Sequence, residues 1–242
     1  MHCFARKENY LTIEVEMEAI LFILILMVVG IVAIIIIFSD EIKSTKDRDP
    51  AATSTFEILS TYAGLHALIL HRIAHSVYMM KIPFMPRWIS QFNRWFTGIE
   101  IHPAATIGMG LFIDHGMGVV IGETTIIGSN VTLYQGVTLG GTGKEKGKRH
   151  PNIGDNVVVG AGAKILGNIN IGDNSYVGAN AVVLRDVVPN STVVGVPGRI
   201  TKQDGKKIDT LLDHAHVLDP VREKMDILNQ RIEALEKALE KK

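Results

Sequence analysis

IHPAATIGMGLFIDHGMGVVIGETTIIGSNVTLYQGVTLGG (residues 101–141) and NIGDNVVVGAGAKILGNINIGDNSYVGANAVV (residues 152–183) carry an aliphatic residue at every sixth position. In the first stretch the beat falls on Ile101, Ile107, Ile113, Val119, Val131 and Val137, with Thr125 alone out of type. In the second it falls on Ile153, Val159, Ile165, Ile171, Val177 and Val183. Neither a helix nor a single strand has a period of six, so the period belongs to a supersecondary unit, the hexapeptide of a β-helix. Each unit supplies a short strand and a corner, and three units close one triangular rung. Stacked rungs about 4.8 Å apart put each inward Ile or Val on another. The spacing therefore predicts a mainly β fold, a parallel β-helix over residues 98–201, with the left-handed winding usual for hexapeptide coils. Of 23 glycines, 21 lie between Gly98 and Gly205, where tight corners need positive φ.

Outward from the repeat, the N-terminal side changes character. AILFILILMVVGIVAIIIIF (residues 19–38) has no charged or polar side chain, and twenty such residues match the roughly 30 Å hydrocarbon core of a bilayer. A transmembrane helix is expected there, after an N-terminal segment 1–18. Arg6 and Lys7 precede the span, and Lys43, Lys46 and Arg48 follow it, a small bias toward a cytoplasmic C-terminal side. Residues 39–97 read as a linker and helical region. Leu65, Leu68, Ile69, Ile73 and Val77 recur at helical spacing, Pro83 and Pro86 end that helix, and Trp88, Ile89, Phe92, Trp95 and Phe96 form a short amphipathic segment. His71 and His75 are an i, i+4 pair, but no third ligand accompanies them, so His66, His71 and His75 read as structural histidines and no metal is expected. Beyond the repeat, residues 202–242 hold a linker and a coiled coil: Leu218, Val221, Met225, Leu228, Ile232, Leu235 and Leu239 alternate steps of three and four.

Composition narrows the function classes. Lys and Arg total 25, as do Asp and Glu, so no net field favours nucleic acid or an acidic partner. The single Cys3 excludes an internal disulfide framework and lies far from the repeat. The chemistry is expected where the beat breaks. From Val137 to Ile153 is sixteen residues instead of six, an excess of ten around GGTGKEKGKRHP (Gly140 to Pro151), and loops thrown from a rigid scaffold commonly carry function. A second patch, IDHGMG (Ile113 to Gly118), sets Asp114 and His115 in a corner.

At these residues the chain resembles the bacterial serine O-acetyltransferase family. The matching elements are RDPAA (Arg48 to Ala52), GLHALILHRIAH (Gly64 to His75), GIEIHPAATIG (Gly98 to Gly108), FIDHGMGVVIGE (Phe112 to Glu123), YQGVTLGGTGKEKGKRHP (Tyr134 to Pro151), VGAGAKILGNI (Val159 to Ile169) and VVGVPGRI (Val193 to Ile200). The resemblance implies acetyl transfer from acetyl-CoA to the L-serine hydroxyl, giving O-acetyl-L-serine for cysteine biosynthesis. It implies His115 as general base, a side chain suited to proton transfer at neutral pH. Glu100 stands where better-known members often have Asp, and orients the imidazole. Asp49, Asp114, Arg149 and His150 match the substrate positions; an Arg fork suits the serine carboxylate and the aspartates suit its ammonium. Gly141, Thr142, Ala161 and Ala179 match the coenzyme-lining positions. The resemblance further implies a homotrimer with sites between neighbouring prisms, and L-cysteine as inhibitor. Some relatives end in an isoleucine that docks into cysteine synthase; this chain ends EKALEKK (residues 236–242), so that complex is not expected. Cytoplasmic substrates place the prism on the cytoplasmic face of the cell membrane, as a trimer. A hexapeptide acetyltransferase for a sugar or other hydroxyl acceptor is the alternative; it has no use for Arg149. A tethered scaffold without activity is the non-enzyme alternative, and the intact set of polar residues argues against it.

Overall fold

Three parallel sheets, each built from strands two to five residues long, form the body of the chain in a computed structural model that describes residues 2–143, 146–203 and 228–232, with side chains from Met17 onward. Fourteen strands between Glu100 and Val194 pass from sheet to sheet in turn. Sheet A orders β1 (Glu100–Ile101), β4 (Val120–Ile121), β7 (Thr138–Gly140), β10 (Lys164–Leu166) and β13 (Val182–Val183). Sheet B holds β2 (Thr106–Ile107), β5 (Ile126–Ile127), β8 (Asn152–Ile153) and β11 (Asn170–Ile171); sheet C holds β3 (Phe112–Ile113), β6 (Thr132–Leu133), β9 (Val158–Val159), β12 (Tyr176–Val177) and β14 (Ser191–Val194). An antiparallel β15 (Arg199–Gln203) closes the edge of sheet C. Parallel sheets visited cyclically by a six-residue repeat fit the expected left-handed β-helix.

The registers correct the reading of the beat. Ile101 pairs with Ile121, Ile121 with Leu139, Leu139 with Ile165 and Ile165 with Val183, so successive rungs take 20, 18, 26 and 18 residues. The inward strand residues of the second rung are therefore Ile121, Ile127 and Leu133, and Leu139 opens the third, in place of Val119, Thr125, Val131 and Val137. The latter four are buried too, because each hexapeptide fills the core from its strand and again from the corner two residues earlier. Two interleaved buried series let the count slip by two. The excess of ten is thus two breaks: two residues at Asp114 to Val119 and eight between β7 and β8.

Corners take left-handed backbone where the strands turn. At the corner from sheet C to sheet A, Gly118, Gly136 and Gly162 stack with φ of 74°, 69° and 71°. The next left-handed residue at this corner is Asn180, and a Cβ on Gly162 would lie 2.2 Å from its Oδ1, so glycine leaves room for that amide. At the corner from sheet B to sheet C, Gly110 is followed up the stack by left-handed Asn130, Asn156, Asn174 and Asn190, a type whose amide tolerates that region. Asn156 donates to Asn174 at 3.1 Å and Asn174 to Asn190 at 3.2 Å.

Helices precede the coil. The unit Met1–Ser39 is a helix, α1 (His2–Ile37), whose apolar stretch Met17–Ile37 is long enough to cross a membrane and carries its side chains largely exposed. In the unit beginning at Asp40, α2 (Ser39–Arg48) is pinned to the coil by Ser44 Oγ donating to Gly110 O at 2.9 Å and Arg48 donating to Val131 O at 3.1 Å. The N-cap Ser54 of α3 (Thr55–Thr61) accepts from the Glu57 amide while Glu57 accepts from the Thr53 amide, a close variant of the capping box. In α4 (Ala63–Met79) the buried stripe is Gly64, Leu65, Ala67, Leu68, His71 and Ala74. It is rotated from the expected Leu/Ile face, and Ile73 lies exposed, because small residues let α4 approach the backbone: a Cβ on Gly64 would meet Ile113 O at 2.3 Å. α5 (Met85–Thr97) ends in the left-handed Gly98. Residues 228–232 are helical; the rest of the heptad seam from Leu218 to Leu239 lies outside the described residues.

Candidate active site

The first break in the beat falls at the corner that carries His115. His115 has φ 57°, an unusual conformation for a side chain with a Cβ, and the two extra residues of its corner hold it with its side chain 74% exposed. Gly116 N donates to Asp114 O at 2.6 Å and Met117 N to His115 O at 3.0 Å, closing the turn. Asp114 Oδ1 lies 4.0 Å from His115 Nε2. Glu100, at the start of β1, is in register with Val120, which follows this corner; its carboxylate pairs with Arg94 at 3.1 Å.

Asp49 joins the same end of sheet A from the linker after α2. Its Oδ1 accepts from Ala51 N at 2.8 Å and its Oδ2 from the Tyr62 hydroxyl at 2.7 Å. Burial and the Asp49 bond push the Tyr62 phenol well above its ordinary pKa. Burial first, then the negative field of Asp114, pushes Tyr134 up to about 12. Arg48, lowered by burial, donates 3.1 Å and 3.0 Å bonds into sheet C and so fixes the turn that carries Asp49. Two aspartates, two phenols and an exposed imidazole thus share one corner.

The second break builds the opposite end of sheet A, at the corner leading into sheet B. Arg149 forms a short ion pair with Glu123, and that hydrogen bond holds the Glu123 carboxyl below its usual range. Thr124 organises the loop: its hydroxyl accepts from Arg149 N at 3.0 Å and His150 N at 3.1 Å, and its carbonyl accepts from Lys148 Nζ at 2.5 Å. His150 Nδ1 accepts from Thr124 N at 3.2 Å, which leaves Nε2 as the protonated nitrogen. Burial, then neighbouring Arg149, lowers the His150 pKa, so the ring is neutral at pH 7. Gly122 makes room for it, since a Cβ there would lie 2.2 Å from Nε2. His102, lowered by burial to about 4, completes this corner.

The coenzyme-lining positions divide in the same way. Gly141 and Thr142 open the loop beside Arg149, where a Cβ on Gly141 would meet Arg149 Cγ at 3.1 Å. Ala161 and Ala179 sit at the corner from sheet C to sheet A, the side of the coil that carries His115, bridged by Asn180 N donating to Ala161 O at 2.8 Å. In one chain the two corners are separated by a strand: Val119 to Glu123 is four steps of about 3.3 Å, or about 13 Å. Of the histidines set aside as structural, His66 and His75 bond Leu59 O at 2.7 Å and Pro103 O at 2.8 Å; among the described residues no group of three metal-ligating side chains converges. Tyr62, Glu123, Thr124 and Arg48 escaped the sequence reading as site residues, although Arg48 and Glu123 stand inside motifs that it quoted.

The model of the family "Bacterial transferase hexapeptide (six repeats)" matches residues 150–185. The chain is 60% identical over 194 residues to a serine acetyltransferase of Staphylococcus aureus (strain Mu50), covering 80% of this chain and 91% of the relative. The chain belongs to the serine acetyltransferase family. Among solved structures, the serine acetyltransferase of Neisseria gonorrhoeae in complex with serine matches with TM-score 0.67 and 42% identity over 71% of this chain and 70% of its own. A serine acetyltransferase in complex with cysteine matches with TM-score 0.70 and 42% identity, covering 72% and 68%. These relatives favour the amino-acid acceptor over the sugar alternative.

Proposed function

We propose that this family member transfers the acetyl group of acetyl-CoA to L-serine at a site shared by two chains, with His115 of one copy and Arg149 and His150 of the next. The separation of the two corners along sheet A carries the proposal. One serine molecule is too short to meet an ammonium partner at Asp49 and Asp114 and a carboxylate partner at Arg149 within one prism, whereas packing the corners of neighbouring prisms together brings them side by side. Three copies close such a contact on a three-fold axis.

In this site His115 takes the proton of the serine hydroxyl as the oxygen attacks the thioester carbonyl. The carbon–sulfur bond then breaks, and the imidazolium returns the proton to the departing sulfur, leaving O-acetylserine and free coenzyme. The Glu100 carboxylate supports the imidazolium, with Arg94 limiting its freedom. Neutral His150 presents Nε2–H as a donor. Arg149 exchanges Glu123 for the serine carboxylate or holds both. Pantetheine runs along the corner of small residues past Ala161 and Ala179, with Gly141 and Thr142 of the neighbour on the other wall. L-cysteine, with both charges of serine and a thiol for the hydroxyl, fits the same place. α1 anchors the trimer in the cell membrane with the prisms on the cytoplasmic face.

Complementation tests the shared site. His115→Ala and Arg149→Ala chains are co-expressed and assayed at serine far below the raised KM of the Arg149 variant, where each alone has little activity; mixed trimers regain activity because a wild-type His115 then meets a wild-type Arg149 across one boundary. Mixed trimers as inactive as the parents would reject a site between chains.

A further inference from the structure

The helix α5 is turned inside out. Its buried residues are Pro86, Ser90, Asn93 and Thr97, and polar bonds hold that face down: Ser90 Oγ donates to Ile101 O at 2.6 Å and Asn93 Nδ2 to Ala67 O at 2.9 Å. The outward face is aromatic. Trp88, Phe92, Trp95 and Phe96 are 73%, 52%, 80% and 56% exposed, with Phe92 stacked on Phe96 at 6.1 Å. The same surface continues into the turn MMKIPFM (residues 79–85), where Met80 and Phe84 are also open. Exposed apolar patches of this kind mark an interaction surface.

Charge indicates what covers it. From Ile58 to Ile99 there is no Asp or Glu, while Arg72, Lys81, Arg87 and Arg94 lie in that interval; Lys81 and Arg87 are exposed at the turn and beside Trp88, and Arg94 pairs with Glu100. Tryptophan and phenylalanine set among cations and no acids complement an anionic lipid headgroup layer, where amphipathic rings are enriched. The cytoplasmic leaflet is the anionic one.

We propose that α5 and the 79–85 turn form a second membrane contact, lying in the headgroup layer of an anionic bilayer with Trp88, Trp95 and Phe84 toward the acyl chains. This rests on the proposed anchoring of the chain through α1, and deepens it: one element spans while the other lies on the surface.

Trp88 and Trp95 are the only tryptophans, so intrinsic fluorescence reports on this face alone. The full-length chain is reconstituted into phosphatidylcholine–phosphatidylglycerol vesicles carrying brominated acyl chains. Tryptophan emission should fall by roughly half, because rings at headgroup level are within reach of the bromine atoms, and Lys81→Glu/Arg87→Glu should remove most of that loss. Emission insensitive to brominated lipid overturns the proposal, and if it is also shielded from aqueous acrylamide, a second protein copy covers the face instead. An alkaline carbonate wash reads α1 separately. Chain retained in the vesicles without quenching defeats the α5 contact alone, whereas chain released by the wash after strong quenching defeats only the α1 anchor.

Discussion

His150 lies over Gly122 so closely that a Cβ at position 122 would come within 2.0 Å of its Cδ2 and 2.2 Å of its Nε2. The ring is also tied at Nδ1 to Thr124, so moving aside costs it that bond. Gly122→Ala should displace the imidazole from the substrate corner and raise KM for serine several-fold. The β4 strand has neighbours on both sides, so the fold should persist, with unchanged circular dichroism as the check. An alanine variant with wild-type KM would remove His150 from serine binding.

The repeat was legible because its signal is redundant: each rung repeats one burial pattern. That redundancy also hides the first break, since Val119 and Ile121 are both buried aliphatics and either one keeps the beat. Asp114, His115, Arg149 and His150 were found as interruptions and recognised by resemblance. Glu123 was not, because a carboxylate at a corner looks like any solvated acid until the loop folds Arg149 back onto it. The face of α5 was unreadable for a different reason. Its pattern is amphipathic either way round, and only the bonds of Ser90 and Asn93 reveal that the polar side is buried.

His115 is the exposed imidazole in a corner lengthened for it. Losing a general base costs on the order of 10²-fold or more, so His115→Ala should lower kcat by at least about that factor with little change in the KM for acetyl-CoA. Because the side chain is exposed, thermal stability should be unaffected. Steady-state kinetics on the folded variant are the measurement, and near-normal turnover would refute the assignment.

Arg149 carries the carboxylate reading. Arg149→Ala should raise KM for serine sharply while leaving acetyl-CoA affinity nearly constant, since a lost uniform-binding contact appears in KM rather than kcat. Serine amide should be a poor substrate for the wild type and should lose little further in the variant. Equal wild-type activity on serine and its amide would contradict the role.

Cysteine differs from serine by one atom at the reacting position and preserves both charges. It should inhibit competitively against serine, and Arg149→Ala should weaken its inhibition in parallel with serine binding. Inhibition of the same depth at every serine concentration would point to a separate site.

His71 predicts the response to acid. It is 2% exposed, its Nδ1 has no partner, and burial first, then the positive fields of His75 and Arg72, hold its pKa down to about 3. The unfolded chain protonates this ring near pH 6.5 and the folded chain does not, so the unfolded state binds more protons between those values. Stability is therefore complete above pH 6.5 and falls as pH drops toward about 3, by at most about 1.4 kcal/mol per pH unit from this group. His102, lowered to about 4, acts in the same direction. Carboxylates contribute mainly below their own range, so the interval from pH 6.5 to 5 isolates the histidines. His71→Gln keeps an amide donor but cannot titrate. Thermal unfolding of detergent-solubilised protein should show its midpoint falling less than that of wild type across this interval, and equal slopes would show that His71 is not the group that acid attacks.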